Sequence, residues 1–181
     1  MSWQRRLAAL ATFLCAVHLG GCGPDAPPKD PGAAPRRGHR VDFAFETLDG
    51  KPLSTATLAG RFSVIGFGTT YDLPSQAQAR YLSGVSRRHA PRVNVALLIL
   101  EPEDNRPLID AFVTTLKLPY PVALADAPTI AGRGPFVGLH HVPSVVVLDP
   151  EGREAWRHLG LADEDTIRAA LRDLHAGKTP R

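Results

Sequence analysis

Few side chains in this 181-residue sequence could do covalent chemistry. Its two cysteines, Cys15 and Cys22, both precede the part of the chain able to bury a core, so the globular portion has neither a disulfide nor a thiol. Within that portion, reactive or ligating groups gather in two stretches, Tyr71-Asp72-Leu73-Pro74-Ser75 and His140-His141-Val142-Pro143. An aspartate with a serine three residues on invites a hydrolytic reading. A serine nucleophile needs an adjacent base and an oxyanion hole, however, and no such triad is visible. Asp72 has a simpler role open to it, as the cap of a helical pattern that starts near Pro74, where a carboxylate takes orphan backbone N–H groups and complements the helix dipole. His140 or His141 together with Asp72 would make a His/Asp metal site, the chemistry of a metal carrier. Adjacent side chains on an extended segment face opposite ways, so the histidine pair cannot easily share one ion. With Met1 the only methionine, the soft ligands favoured by copper(I) are missing as well. No resident cofactor is expected, since Gly132-Arg133-Gly134 has neither a phosphate-binding lysine nor a strand-to-helix context.

The remaining cysteine chemistry belongs to the N-terminus. Arg5 and Arg6 precede an apolar run, Leu7 to Leu19, that is too short for a spanning helix and suits a secretory signal. The run ends in Leu19-Gly20-Gly21-Cys22, which resembles a lipobox, the motif at which a bacterial lipoprotein is acylated on the cysteine sulfur and cleaved just before it. Residues 1–21 are therefore expected to be a lipoprotein signal peptide, and Cys22 the attachment to the lipid bilayer. Two or three acyl chains, at about 0.8 kcal/mol per buried methylene, make such an anchor effectively permanent. Gly23 after the cysteine suits sorting to the periplasm-facing outer membrane if the source is Gram-negative. Residues 22–40 turn to Pro, Gly and Ala with scattered charge and read as a tether, leaving a domain over 41–177 and a tail over 178–181. Removing Arg5 and Arg6 leaves 19 basic against 18 acidic side chains, a balance that argues against nucleic acid as a partner.

The elements that must position the two stretches follow from periodicity. Phe43 to Leu48, the Asp49-Gly50 turn and Pro52 to Ser54 read as an N-terminal hairpin. Phe62 to Phe67 is a compact apolar strand, followed by a helical pattern from Pro74 to about Arg88. Val93 to Leu100 is almost continuously apolar, as a central strand covered on both faces should be. Leu108, Ile109, Phe112, Val113 and Leu116 have helical spacing, and Tyr120 to Leu124 a short extended pattern. Val145 to Leu148 and Glu154 to His158 form a terminal hairpin around Asp149-Pro150-Glu151-Gly152, and Asp163 to His175 closes the chain as a helix. This order predicts an α/β fold, a central mixed sheet with helices on both faces and an N-terminal β-hairpin. Phe136 and Trp156 are expected in the core.

This organisation, with several local phrases, resembles the thioredoxin-like superfamily, especially the TlpA/ResA-like thiol-disulfide oxidoreductases and their alkyl hydroperoxide reductase/thiol-specific antioxidant relatives. The phrases are Phe43 to Leu53, which looks like that family's opening hairpin, Leu58-Ala59-Gly60-Arg61 before the first central strand, and Val142-Pro143-Ser144 through Gly152, similar to the segment holding a cis-proline. In active relatives the first central strand leads through an aromatic residue to a Cys-x-x-Cys that opens a helix, because a helix N-terminus stabilises a thiolate. The resemblance places Asp72 and Ser75 where those two cysteines would be, with Pro74 at the usual proline position. A carboxylate and an alcohol form neither a mixed disulfide nor a sulfenic acid, so no catalytic residue is expected. What the resemblance leaves is a binding site of Tyr71, Asp72, Ser75, Val142 and Pro143, where relatives lay an extended peptide against the cis-proline loop. The expected function is that of a membrane-anchored, redox-inactive adaptor, chaperone or assembly factor for a protein or peptide of the cell envelope. The alternatives are a thiol-disulfide oxidoreductase or peroxiredoxin-like protein by family that lacks its cysteines, and a metal carrier using His140 or His141.

Overall fold

The computed structural model describes residues 38–180. The segment read as a signal peptide, Cys22 and most of the expected tether lie outside the described residues. Among the described residues no helix is long and apolar enough to cross a membrane.

The apolar runs become the five strands of one sheet. Strands β3 (Ser63–Gly68), β4 (Asn94–Ile99) and β5 (Val122–Leu124) are parallel, while β6 (Ser144–Leu148) runs antiparallel to β3 and β7 (Glu154–Leu159) antiparallel to β6. Their order is β5-β4-β3-β6-β7. A separate two-stranded hairpin, β1 (Ala44–Glu46) and β2 (Pro52–Ser54), precedes them. Strands β3, β4 and β6 are buried along nearly their whole length, the burial that their unbroken hydrophobicity predicts.

One face of the sheet is covered by the long helices. Helix α2 (Leu73–His89) packs Ala79, Leu82 and Val85 onto Val64, Leu97 and Val145. Helix α3 (Arg106–Leu116) adds Ile109 and Phe112, and α5 (Glu164–His175) adds Ile167 and Leu171. The opposite face is covered by the N-terminal segment, through Val41, Phe43, Phe45 and Leu53, and by the loop carrying Phe136 and Leu139. Two single-turn helices, α1 (Thr55–Leu58) and α4 (Ala127–Ile130), place Leu58 and Ile130 on that side, so helices do stand on both faces. Gly66 faces α2, and a Cβ there would run directly onto Leu82, so the close approach of α2 to β3 requires glycine. Phe136 and Trp156 are buried, as expected.

One local feature of β7 is a bulge. Val147 pairs with Trp156 but Leu148 pairs with Glu154, so Ala155 is an extra residue. In a regular strand residues three apart face opposite sides. The bulge turns Glu154 to the side of Arg157, and the two form a bidentate ion pair at 2.6 and 2.8 Å with side chains only 2% and 1% exposed.

Candidate functional site

The site is assembled where β3 ends. After Gly68 the chain makes a short loop, Thr69 to Asp72, and enters α2. Asp72 is the N-cap: its Oδ1 accepts from the Ser75 N–H at 2.7 Å, and its Oδ2 accepts from the Thr69 hydroxyl. Pro74 sits in the first helical turn, where its missing N–H costs nothing. Burial pushes the Asp72 carboxyl up, but the hydrogen bonds from Thr69 and Ser75 outweigh it and hold the group below the ordinary carboxylate value of 3.8. Ser75 is 1% exposed, and its Oγ has no hydrogen-bond partner. It lies against β3, where a Cβ at Gly68 would stand 3.2 Å from it.

The loop is held from the other side by a carboxylate that sequence reasoning did not single out. Glu101, just past β4, is 2% exposed; its Oε1 accepts from the Thr70 N–H and its Oε2 from Asn105 Nδ2 at 2.8 Å. Gln76 Nε2 donates to the Thr70 carbonyl at 3.3 Å. A second link ties α2 to the C-terminal helix. Gln78 Nε2 donates to the Ala162 carbonyl and Gln78 Oε1 accepts from the Ala162 N–H, both at 2.9 Å. Glu101 sits in the run Glu101-Pro102-Glu103-Asp104, which reads as a solvated turn, and nothing local separates the buried carboxylate from its exposed neighbours.

On this fixed loop the apolar side chains point outward. Tyr71 and Leu73 are 76% and 77% exposed. Tyr71 lines a cleft of about 360 Å³ with Thr70, Gln76, Leu108, Phe112 and Leu116, so it faces α3, whose Leu108 is also exposed. Pro143 lies outside that cleft, at the same end of the neighbouring strand, since Ser144 pairs with Phe67. The Val142–Pro143 peptide is cis, as the resemblance implies. The Pro143 carbonyl accepts from the Gly160 N–H at 2.9 Å, and Ser144 Oγ donates to the His141 carbonyl at 2.7 Å. Tyr71, Asp72 and Ser75 are thus contiguous, whereas Val142 and Pro143 form a second patch beside them.

The histidines are arranged otherwise than an extended segment would place them. The rings of His140 and His141 lie side by side, centroids 4.5 Å apart, because the loop bends before β6. The His140 ring also covers Gly132. Among the described residues no group of three or more His, Cys, Asp or Glu comes together in a way that could hold a metal ion.

No protein-family model and no curated protein matches the sequence. Solved structures do match. A DsbF homologue from Corynebacterium diphtheriae superposes with a TM-score of 0.67 at 18% identity, covering 78% of this chain and 94% of its own. A thiol:disulfide interchange protein of the thioredoxin family from Chlorobium tepidum gives 0.62 at 21% identity, over 74% and 92%. A secreted Mycobacterium tuberculosis disulfide oxidoreductase homologous to Escherichia coli DsbE gives 0.59 at 21%, over 71% and 92%. The agreement spans almost the whole of each neighbour. The chain has the thioredoxin-like fold.

Proposed function

We propose that the protein is a membrane-anchored, redox-inactive thioredoxin-like module that binds a protein or peptide in the cell envelope, as an adaptor, chaperone or assembly factor. The observation that carries this reading is the division of labour in the Asp72 loop. The groups at the positions of the absent thiols are turned inward, Asp72 onto the helix end and Ser75 into the core, while Tyr71 and Leu73 beside them are offered to solvent. A loop pinned by Glu101 presents them in a fixed geometry, which lowers the ordering cost of binding. A chain without thiols in its domain has no route to disulfide exchange, so the neighbours' chemistry does not transfer with their fold. Export is supported by the signal-like run before Cys22 and by neighbours described as secreted.

The test is a crosslinking pull-down from intact cells that compares the native protein with a Tyr71→Ala, Leu73→Ala variant on the same anchor. Asp72 and its cap are left in place, so the fold is retained. Loss of a specific partner supports the reading; an unchanged partner set moves the function away from this loop.

A further inference from the structure

The charge of the domain is polarised along its strands. Between Gly38 and Pro180 there are 15 Lys and Arg against 16 Asp and Glu, close to neutrality. Around the C-terminal ends of β3 to β5 stand Asp72, Glu101, Glu103, Asp104 and Asp126. At the opposite end, where β3 and β4 begin and β6 finishes, stand Arg61, Arg87, Arg88, Arg92, Arg153 and Arg172. Helix α5 reaches that end, since the His175 ring packs on Phe62 with centroids 4.6 Å apart. Basic last turns complement helix dipoles, which accounts for Arg87, Arg88 and Arg172. Arg61, Arg92 and Arg153 lie outside helices and have no such explanation.

Glu164 pairs with Arg88 at 2.6 Å, and Asp149 accepts from the backbone N–H groups of Glu151 and Arg153 at 3.0 and 2.7 Å but keeps its charge. With Glu151 and Asp173, four carboxylates face the six arginines, and this end stays net positive. Arg87, Arg92 and Arg172 have no ion-pair partner among the described residues, and the latter two border a cleft of about 490 Å³ with His89 and His175. Burial together with Arg168, Arg92 and His175 pushes the His89 pKa down, as expected where cations crowd. The chain also enters the domain here: the Gly38 N–H donates to the Glu154 carbonyl at 2.9 Å, at the start of β7.

We propose that this basic end docks on an anionic bilayer surface, which turns the Asp72 end away from the membrane. The inference rests on the Cys22 anchor of the proposed function; the charge segregation does not. The 16 residues from Cys22 to Gly38 reach at most about 55 Å even fully extended, so the anchor keeps the domain near the surface at high effective concentration and weak contacts suffice. Each Lys or Arg near an anionic surface strengthens partition about fivefold.

The experiment uses the protein as processed in its host and reconstituted in vesicles of phosphatidylcholine, alone or with phosphatidylglycerol. The domain has no cysteine, so Ala176→Cys at the basic end and Leu73→Cys at the other each take one fluorophore, read against a headgroup quencher. With phosphatidylglycerol, the Ala176 label is expected to be quenched and the Leu73 label spared. Arg87→Glu with Arg92→Glu is expected to lower the docked population at least about 25-fold, while Arg80→Glu with Arg133→Glu, the same change in net charge elsewhere, leaves it intact. Equal quenching of both labels overturns the proposal, as does equal loss in the two charge-reversed variants. Release by inorganic phosphate but not by chloride of the same ionic strength marks a small-ion pocket and also overturns it. If the protein leaves phosphatidylcholine vesicles altogether, the anchor reading falls. Docking is then read from co-sedimentation with the anionic vesicles: capture lost in the Arg87, Arg92 variant supports it, and no capture overturns it.

Discussion

Replacing Asp72 measures how much of the helix start rests on its carboxylate as a cap. In Asp72→Ala the N–H of buried Ser75 loses its acceptor, the buried Thr69 hydroxyl loses its partner, and the helix dipole loses its counter-charge. An N-cap truncation costs about 0.5–2 kcal/mol, and a buried donor left unsatisfied about 1–3 kcal/mol. The two overlap, so about 2 kcal/mol is expected for the alanine variant. With an m-value of about 2 kcal/mol/M this moves the urea midpoint down by about 1 M. Asp72→Asn keeps an oxygen for Ser75, loses the charge and replaces the acceptor of the Thr69 hydroxyl by an NH2 donor to which that hydroxyl can turn as acceptor, so about 0.5–1 kcal/mol is expected. The pH dependence supplies the second arm. Because the folded pKa of Asp72 lies below 3.8, the unfolded chain binds the proton first as pH falls. The stabilising contribution is therefore fully present above 3.8 and disappears as pH drops through the folded value. The gap between wild type and Asp72→Asn should close over that window in urea melts. An alanine variant within about 0.5 kcal/mol of wild type, or a gap that widens on acidification, would refute the capping argument.

Other perturbations have equally definite outcomes. Glu154→Gln leaves the Arg157 guanidinium buried without its counter-charge and is expected to cost about 3–5 kcal/mol in a denaturant melt; a cost under 1 kcal/mol would show that water reaches the pair. Glu101→Ala frees the Thr70 N–H, so amide exchange at Thr70 and Tyr71 should accelerate while far-UV dichroism stays native; unchanged exchange would mean that the loop is held by Gln76 and Asp72 alone. Asp72→Cys with Ser75→Cys places two thiols on one helix N-terminus, where thiolates are stabilised, and insulin reduction should rise above the wild-type level. Failure of that pair to form a disulfide would remove the positional equivalence with a Cys-x-x-Cys.

Much of this fold was legible because it rests on local patterning. The apolar run Val93 to Leu100 reports a strand covered on both faces, and the spacing through Ile167, Leu171 and Leu174 a helix with one face on the core. Asp72 before Pro74 announces a helix start by composition alone. The sequence also contained the start of α1, since Ser54 and Thr57 form a reciprocal capping box, although four residues are too few to show periodicity. What stayed hidden depends on partners distant along the chain. Glu101 looks solvated among Pro102, Glu103 and Asp104 until β4 carries it beneath the Thr69 to Asp72 loop. Gln78 lies in a polar helical stretch, and its partner Ala162 lies in the distant loop between β7 and α5. The bulge at Ala155 has no glycine or other breaker to mark it, yet it decides that Glu154 and Arg157 meet. The side-by-side rings of His140 and His141 likewise follow from a bend in the backbone and not from residue spacing.

The N-terminal segment that crosses the sheet also seals its two margins. Gly38, His39 and Val41 hydrogen-bond to Gly152 and Glu154 beside β7, and a few residues later Thr47 and Leu48 meet Ala123 and Val122 of β5. Open strand margins invite pairing with other chains. This segment is made before the sheet, and its partner in β7 is made more than a hundred residues later, well after its partner in β5. The margin at β7 therefore stays sticky after the one at β5 can close, and its closure is a late event of high contact order. A chain truncated before Gly152 would hold its own sealing strip and lack the β7 margin it was made to cover.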